Sequence, residues 1–210
     1  NEDQIKLKRL LDRNLSVNHS NKIFIIGAGP SGVELACKIS DLYESRFQIN
    51  IIEKTAGILN NSKLFNKEEA EKTLLKKNIT LMKNCSVIEI TDKQILLSNN
   101  LNQLEKFPYF ETIWTAGIKP NLPGFDKQIQ KINNKILINK NLQLQDHPNI
   151  FAIGDISQVD SINNYPVTAQ VAMQQGEHVA LNLKLLIKNE RLLPFKFKDN
   201  GEMMSLGVGE

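Results

Sequence analysis

The feature that most constrains this chain is a glycine-rich turn between a short apolar run and a helical pattern. Residues 23–26, Ile-Phe-Ile-Ile, are typical of a parallel strand covered on both faces. Residues 27–32, Gly-Ala-Gly-Pro-Ser-Gly, follow as a G-x-G-x-x-G sequence, and helical spacing of apolar residues begins after them. A second apolar run at 49–52 ends on Glu53. Strand, turn, helix and strand form a βαβ unit, so we predict an α/β fold.

The same segment predicts a dinucleotide-binding site. Gly27 would permit the tight turn, Gly29 would let the backbone approach a pyrophosphate, and Gly32 would let the helix pack closely on the strand. The N–H groups and positive dipole end of the helix would then bind the phosphates. The predicted phosphate-binding residues are Gly27, Gly29, Pro30, Ser31 and Gly32. A glycine turn without a ligand is the alternative interpretation.

Two acidic residues extend this prediction. Glu53 comes 21 residues after Gly32, where a carboxylate would accept hydrogen bonds from the adenosine ribose and repel a 2′-phosphate. We therefore expect NADH to be preferred, although Lys54 would soften that preference and NADPH remains an alternative. Glu34 would lie in the first turn of the helix, where the helix dipole alone could explain an acid.

A second informative segment covers residues 149–155. Its apolar run, 150–153, predicts a buried strand that would bring Asp155 to the sheet edge where open α/β sheets bind ligands. A long helix is predicted over 166–188, with Pro166 suited to its first turn. The N-terminus of that helix would stabilise negative charge on a second ligand, such as the reduced edge of a flavin.

Composition excludes several classes of protein. Of 210 residues, 41% are hydrophobic and 23% charged, which supports a packed core and argues against general disorder. No apolar run approaches the roughly 20 residues of a membrane-spanning helix, and a cytoplasmic protein is expected. A net charge of +3 and 6% aromatic residues do not favour nucleic-acid binding. Cys37, Cys85, His19, His147 and His178 have no metal-ligand spacing, so no metal site is predicted.

The remaining pattern predicts further elements and their buried faces. Helices are expected over 1–16 and 66–77, and strands at 79–82, 87–90, 95–97, 111–114, 136–138 and 195–197. The predicted apolar stripes are Leu35, Ile39 and Leu42 in the helix after the glycine turn, and Ala172, Val179, Leu183 and Leu186 in the long helix. Trp114 is expected in the core, and both cysteines are expected to be packing residues.

In this order, the motifs resemble flavin-dependent pyridine-nucleotide oxidoreductases. The resemblance depends on residues 27–36, 114–117, 150–155 and 166–176. The residues Ala169-Gln170, 174–176 and 195–204 are similar more specifically to type II NADH:quinone oxidoreductases, and most closely to the branch from photosynthetic lineages. This resemblance implies a Rossmann-like NAD(H)-binding domain inserted in a partial FAD-binding domain of the two-dinucleotide-binding-domain type.

The resemblance also implies an activity and the residues that support it. A hydride would pass from NADH to FAD, and two electrons would pass on to a quinone. Glu34 would lie near the nicotinamide and the flavin, while Gln170 and Gln174 would line the quinone approach. Asp155 would hold the FAD ribitol, and Ala169 with Gln170 would lie beside the isoalloxazine. The further cofactor-binding residues that it implies are Ala116, Gly117 and Gly154.

We expect three segments. Residues 1–20 would be a linker or part of the FAD domain, residues 21–118 the NAD(H) domain, and residues 119–210 the C-terminal part of the FAD domain. Only 26 residues precede Gly27 and none resembles the family's first G-x-G-x-x-G, so we expect a truncated chain that is inactive by itself. In the intact parent, a missing C-terminal segment would make peripheral membrane contact. Surface left exposed by the missing half-domain would favour homo-oligomers.

Two alternatives stay open at this point. One is another pyridine-nucleotide flavin reductase, of the ferredoxin or monodehydroascorbate reductase type. The other is a non-catalytic NAD(H)-binding module, which would contain no flavin. The absorption spectrum of the full-length protein would separate this last alternative from the enzymes.

Overall fold

The computed structural model describes residues 2–12, 20–122, 124, 129–159 and 165–208, which fall into two compact units. The first unit comprises residues 1–117 with 202–210, and the second comprises residues 118–201. The helices are α1 (Glu2–Leu11), α2 (Pro30–Tyr43), α3 (Leu64–Lys76) and α4 (Ala169–Ile187). The strands are β1 (Lys22–Ile26), β2 (Gln48–Ile52), β3 (Thr80–Met82), β4 (Ser86–Ile90), β5 (Gln94–Ser98), β6 (Leu104–Pro108), β7 (Glu111–Trp114), β8 (Lys131–Ile132), β9 (Lys135–Ile138) and β10 (Ser157–Val159).

A parallel sheet in the order β3-β2-β1-β7 forms the centre of the first unit. Side chains alternate along β1, so Ile23 and Ile25 pack in one core with α2 and α3. Phe24 and Ile26 point the other way and pack in a second core with the antiparallel strands β4, β5 and β6. Because the strands are covered on both faces, the predicted α/β fold with a buried parallel strand at the glycine turn is confirmed.

The second unit has its own core. Its three-stranded sheet has the order β10-β9-β8, with Ile136 and Ile138 of β9 buried. Helix α4 buries Val171, Gln175 and Asn182. No helix in the described residues of either unit is long and apolar enough to cross a bilayer.

Several predicted strands differ from the structure. Residues 150–153 do not form a buried strand: Phe151 makes a single bridge to Gln143, and Ile150 is 42% exposed. Residues 195–197 are extended but unpaired as a strand, with the Phe195 N–H donating to the Lys140 carbonyl. Strands β8 and β10 were not predicted because they are only two and three residues long, and β6 was not predicted because it is mostly exposed and its sequence, Leu-Glu-Lys-Phe-Pro, does not alternate between apolar and polar residues.

The helices also differ from the prediction in where they begin and in which of their residues are buried. Helix α2 begins at Pro30, inside the predicted turn, and α4 begins three residues after Pro166 with Thr168 as its N-cap. The predicted stripes are wrong at Leu42, which is 59% exposed, and at Leu183, because other faces of α2 and α4 meet the cores. Helix α1 ends at Leu11, and residues 13–16 of the predicted helix lie outside the described residues.

Candidate dinucleotide-binding site

The carboxyl ends of three parallel strands bring the predicted motif residues to one sheet edge. Gly27 follows β1, Glu53 follows β2, and Thr115 follows β7. Strands β2 and β3 lie on one side of β1 and β7 on the other, so chain order reverses beside β1. Open α/β sheets bind ligands in the crevice that forms at such a switch point.

Packing within the protein requires two of the three motif glycines. Gly27 has φ +106°, and a Cβ there would lie 3.0 Å from the Ala116 backbone. A Cβ on Gly32 would lie 2.0 Å from the Gly27 carbonyl oxygen and 2.8 Å from Thr115 Oγ1. Both positions therefore exclude any side chain, independently of a ligand.

Gly29 is different, because nothing in the described protein requires a glycine there. Its φ is −75° and its ψ 179°, which any residue adopts, and no described atom lies within 4 Å of its Cβ position. Gly29 is the N-cap of α2, and no described side chain caps that helix. A bare backbone at an uncapped helix N-terminus fits the close approach of a phosphate.

Glu53 is held by residues on both sides of the crevice edge. Its Oε2 accepts the N–H of Ala28 at 3.0 Å, and its Oε1 accepts both the N–H and the hydroxyl of Thr55, at 2.9 Å and 2.8 Å. Burial by itself would raise the pKa of Glu53, but these hydrogen bonds outweigh it and hold the pKa below its ordinary range. The carboxylate is therefore ionised at neutral pH.

Residues after β7 complete this edge. Thr115 Oγ1 lies 2.8 Å from the Ile26 carbonyl oxygen and so fixes the end of β1 to the end of β7. Gly117 has φ +80°, which favours glycine, and Ala116 is exposed. Trp114 is 62% exposed, so the expectation that it lies in the core is wrong; β7 ends there, and its Nε1 donates to the Ala116 carbonyl.

Glu34 lies in the second turn of α2 rather than the first, because the helix begins at Pro30. The helix dipole falls off within the first turn, so it does not explain this acid. Glu34 Oε1 instead accepts the backbone N–H of Ser205 at 2.9 Å. Its predicted role near the nicotinamide stays a prediction.

In the second unit, Gly154 and Asp155 line a cavity of about 130 Å³ at the N-terminus of α4. The Gly154 N–H donates to Oε1 of the buried Gln175 at 2.7 Å, and Gly154 has φ +69°. Further lining residues include Lys135, Ser157, Tyr165, Thr168 and Val171. Residue 175 belongs to the segment 174–176 that carries the family resemblance, but its role as a buried acceptor for the Gly154 N–H could not be predicted, because a buried amide leaves no periodic signal.

Gln170 and Gln174, which are predicted to line the quinone approach, contact the backbone of residues 198–201. Gln174 Nε2 donates to the Lys198 carbonyl at 2.8 Å, and Gln174 Oε1 accepts the Lys198 N–H at 3.0 Å. Gln170 makes longer bonds, of 3.4 Å, with the backbone of Asn200 and Gly201. Ala169 is the exposed first residue of α4, and the flavin and quinone roles of these residues stay predictions.

The two cysteines are buried, and His178 contacts a backbone carbonyl. Cys37 and Cys85 are both buried, which confirms them as packing residues, and burial raises the pKa of the Cys85 thiol. His178 Nε2 lies 2.8 Å from the Leu193 carbonyl oxygen, and His19 lies outside the described residues. Within the described ranges, no group of three or more His, Cys, Asp or Glu residues could hold a metal ion.

Comparison with known proteins gives relatives that include quinone reductases. The chain is 30% identical to an alternative NAD(P)H-ubiquinone oxidoreductase C1 of Arabidopsis thaliana, over 96% of this chain and 42% of that protein. It is 33% identical to the demethylphylloquinone reductase NdbB of Synechocystis, over 99% of this chain and 52% of that protein. The chain thus spans about half the length of the curated relatives it matches.

Structural comparison agrees on the fold. The structure of NDH2 from Plasmodium falciparum in complex with NADH superposes with a TM-score of 0.85 at 18% identity, covering 99% of this chain and 62% of that one. The family model described as pyridine nucleotide-disulphide oxidoreductase matches residues 1–176. The resemblance inferred from the motifs is therefore confirmed, and the chain belongs to the pyridine nucleotide-disulphide oxidoreductase family.

Proposed function

We propose that this chain is the NAD(H)-binding part of a flavin-dependent NADH dehydrogenase that reduces a quinone. The observation that carries the proposal is Gly29, a bare backbone position that the fold does not require, at the uncapped N-terminus of α2. The names of the two relatives, one a ubiquinone oxidoreductase and the other a demethylphylloquinone reductase, support a quinone as the acceptor.

The chain's own residues would bind and orient NADH. Backbone N–H groups at Gly29–Gly32 would bind the diphosphate, because the first turn of a helix leaves such groups without helical partners. The Glu53 carboxylate would accept a ribose hydroxyl and repel a 2′-phosphate, which favours NADH over NADPH. Ala116 and Gly117, after β7, would border the nicotinamide end of the same crevice.

The cavity in the second unit would hold part of FAD. Its polar residues, with Asp155 at an exposed position, would suit a chain of ribitol hydroxyls, and the N-terminus of α4 would suit negative charge on the flavin ring. When bound, FAD would supply the acceptor for the hydride and the donor of electrons to the quinone. Glu34, Ala169, Gln170 and Gln174 would border the reacting rings and the quinone approach, and a segment outside this chain would contact the membrane.

The test is the substitution Gly29→Ala in the purified chain, titrated with NADH. A methyl group at this position would obstruct the diphosphate, so affinity for NADH should fall by more than about tenfold. The free energy of unfolding should stay within about 1 kcal/mol of wild type, because φ and the surrounding space both tolerate alanine. The matched control, Gly124→Ala, also adds a methyl group where no described atom lies within 4 Å, and it should bind NADH normally. Unchanged affinity in Gly29→Ala would contradict the proposal.

A further inference from the structure

We infer that Thr55 is a positioning residue that, with Asn60, fixes the Glu53 carboxylate and so sets the preference for NADH over NADPH. The inference rests on the proposed function, since it assumes that Glu53 faces the adenosine ribose. It adds two residues outside the glycine motif, in the loop between β2 and α3.

A chain of hydrogen bonds from Asn60 through Thr55 ends on one oxygen of Glu53. Asn60 Nδ2 donates to Thr55 Oγ1 at 2.8 Å. The single hydroxyl proton of Thr55 can then be donated to Glu53 Oε1, at 2.8 Å, or to the Gly57 carbonyl oxygen, at 2.9 Å. The Thr55 N–H donates to the same Oε1 at 2.9 Å, so this oxygen is approached by two donors of one residue.

The donors around the Glu53 carboxylate show how large a share Thr55 has in orienting it. A carboxylate offers about four lone-pair positions, two on each oxygen. The backbone N–H groups of Ala28, Lys54 and Thr55 all hydrogen-bond to Glu53, and the Thr55 hydroxyl lies 2.8 Å from its Oε1. Among these contacts of the described residues, two of the four donors therefore belong to Thr55.

The loop around Thr55 is itself supported. Lys67 Nζ of α3 donates to the Asn60 carbonyl at 3.1 Å, and the Leu59 N–H donates to the Ala28 carbonyl at 2.9 Å. Ile58 and Leu59 are buried in the core beneath the loop. Thr55 and Asn60 are thus held on a packed element, which is what a positioning role requires.

Selectivity follows from this orientation. With Thr55 in place, the negative charge of Glu53 is fixed toward the ribose, where it binds a hydroxyl and repels a phosphate. Without the hydroxyl of Thr55, Oε1 loses one of its two donors from residue 55 and keeps the backbone N–H. The carboxylate is then held less tightly, so its bond to the ribose weakens and its charge can move away from a 2′-phosphate. Affinity for NADH should then fall while affinity for NADPH changes less.

The experiment compares Thr55→Val, Thr55→Ser and wild type in the purified chain, with ADP-ribose, NADH and NADPH as probes. Thr55→Val should lower the affinity for ADP-ribose and for NADH by about tenfold, the scale of one charge-assisted hydrogen bond. It should also lower the ratio of NADH affinity to NADPH affinity. Thr55→Ser should restore both values. Thr91→Val is the matched control, because the Thr91 hydroxyl also holds a turn, with Gln94, but lies between β4 and β5.

The outcomes separate this inference from the proposed function. Normal binding of ADP-ribose with an unchanged ratio in Thr55→Val would overturn the inference alone. Wild-type chain that binds neither ADP-ribose nor NADH would overturn the proposed function first. If Thr55→Val unfolds, Asn60→Ala provides the second variant, and an unchanged ratio in folded Asn60→Ala would equally overturn the inference.

Discussion

Gly27, Gly29 and Gly32 belong to one motif but are required for different reasons. Gly27 and Gly32 are set by contacts with Ala116, Thr115 and each other, so they maintain the fold of the turn. Gly29 has a permissive conformation and no described atom within 4 Å of its Cβ position, so no contact of the described residues requires a glycine there. A motif match cannot distinguish these roles, whereas the geometry of each glycine does.

We predict that removing the charge of Glu53 changes the preference between NADH and NADPH. In Glu53→Gln the side-chain carbonyl oxygen can still accept the Ala28 N–H, so the glycine turn should stay intact, while the amide nitrogen would face the Thr55 N–H and that hydrogen bond would be lost. The repulsion of a 2′-phosphate is lost, and the ratio of NADPH to NADH affinity should rise by about tenfold, equal to about 1.4 kcal/mol. Calorimetric titration with both dinucleotides measures this ratio.

The outcome for Glu53→Ala would be harder to interpret, because it also removes the anchor of Ala28. A ratio in Glu53→Gln that stays at the wild-type value would show that another residue, such as Lys54, discriminates between the two cofactors.

Among the described residues, the tail at residues 202–208 makes hydrogen bonds to residues more than 130 positions away in sequence. Glu202 accepts from the Lys63 N–H at 3.2 Å and from Asn66 Nδ2 at 2.8 Å, both at the start of α3. Ser205 donates to Glu34, and Val208 donates to Asp41, both on α2. The tail thus joins two helices that are far from it in sequence.

We predict that docking of the tail depends on the ionisation of Asp41. The hydrogen bond from Lys77, together with that from Val208, holds the pKa of Asp41 below its ordinary value. A lowered pKa in the folded state stabilises the protein above the unfolded-state pKa, and this contribution is lost as pH falls through the folded-state pKa. Wild type should therefore be more stable than Asp41→Asn at neutral pH, and the difference should vanish in strong acid.

Urea unfolding of both proteins across this pH range checks the prediction. Asp92→Asn, which alters an exposed acid in the turn after β4, is the control and should match wild type. A stability difference between wild type and Asp41→Asn that does not change with pH would contradict the assignment to ionisation.

The elements that the sequence predicts well are those whose burial follows from local pattern. The apolar runs of β1 and β2 and the glycine turn between them are of this kind. The helical pattern also predicts α4, but not its buried polar residues, because Gln175 and Asn182 are stabilised by backbone groups of Gly154 and Leu193, which are distant in sequence. The strand expected at 150–153 fails for a related reason: an apolar run does not reveal whether a pairing partner lies beside it.

At the scale of the whole molecule, each unit contains one candidate site. The crevice at the glycine turn belongs to the first unit, and the cavity beside Asp155 belongs to the second. The motifs predicted both sites, but the domain ranges 1–20, 21–118 and 119–210 stay a prediction. Contacts assign residues 202–210 to the first unit, which no local pattern near the tail indicates.

We predict that the longer protein containing this chain purifies with bound flavin, which NADH bleaches. Asp155→Ala in that protein should lower the flavin content, because the carboxylate would no longer accept hydrogen bonds from the ribitol. The control Asp146→Ala alters an exposed acid of the same unit that is not among the residues lining the cavity. Absorption spectra of the three proteins provide the measurement, and a colourless wild type would favour a non-catalytic NAD(H)-binding module.

The tail also has a consequence for synthesis of the chain on the ribosome. Residues 1–117 are translated first. Residues 202–208, which donate hydrogen bonds to Glu34 and Asp41, are translated only after the 84 residues of 118–201. At about 5–20 residues per second, this delay lasts roughly 4–17 s. The nascent helices α2 and α3 can therefore make their contacts with residues 202–208 only after the second unit has been made. A stop codon before residue 202 would remove these contacts.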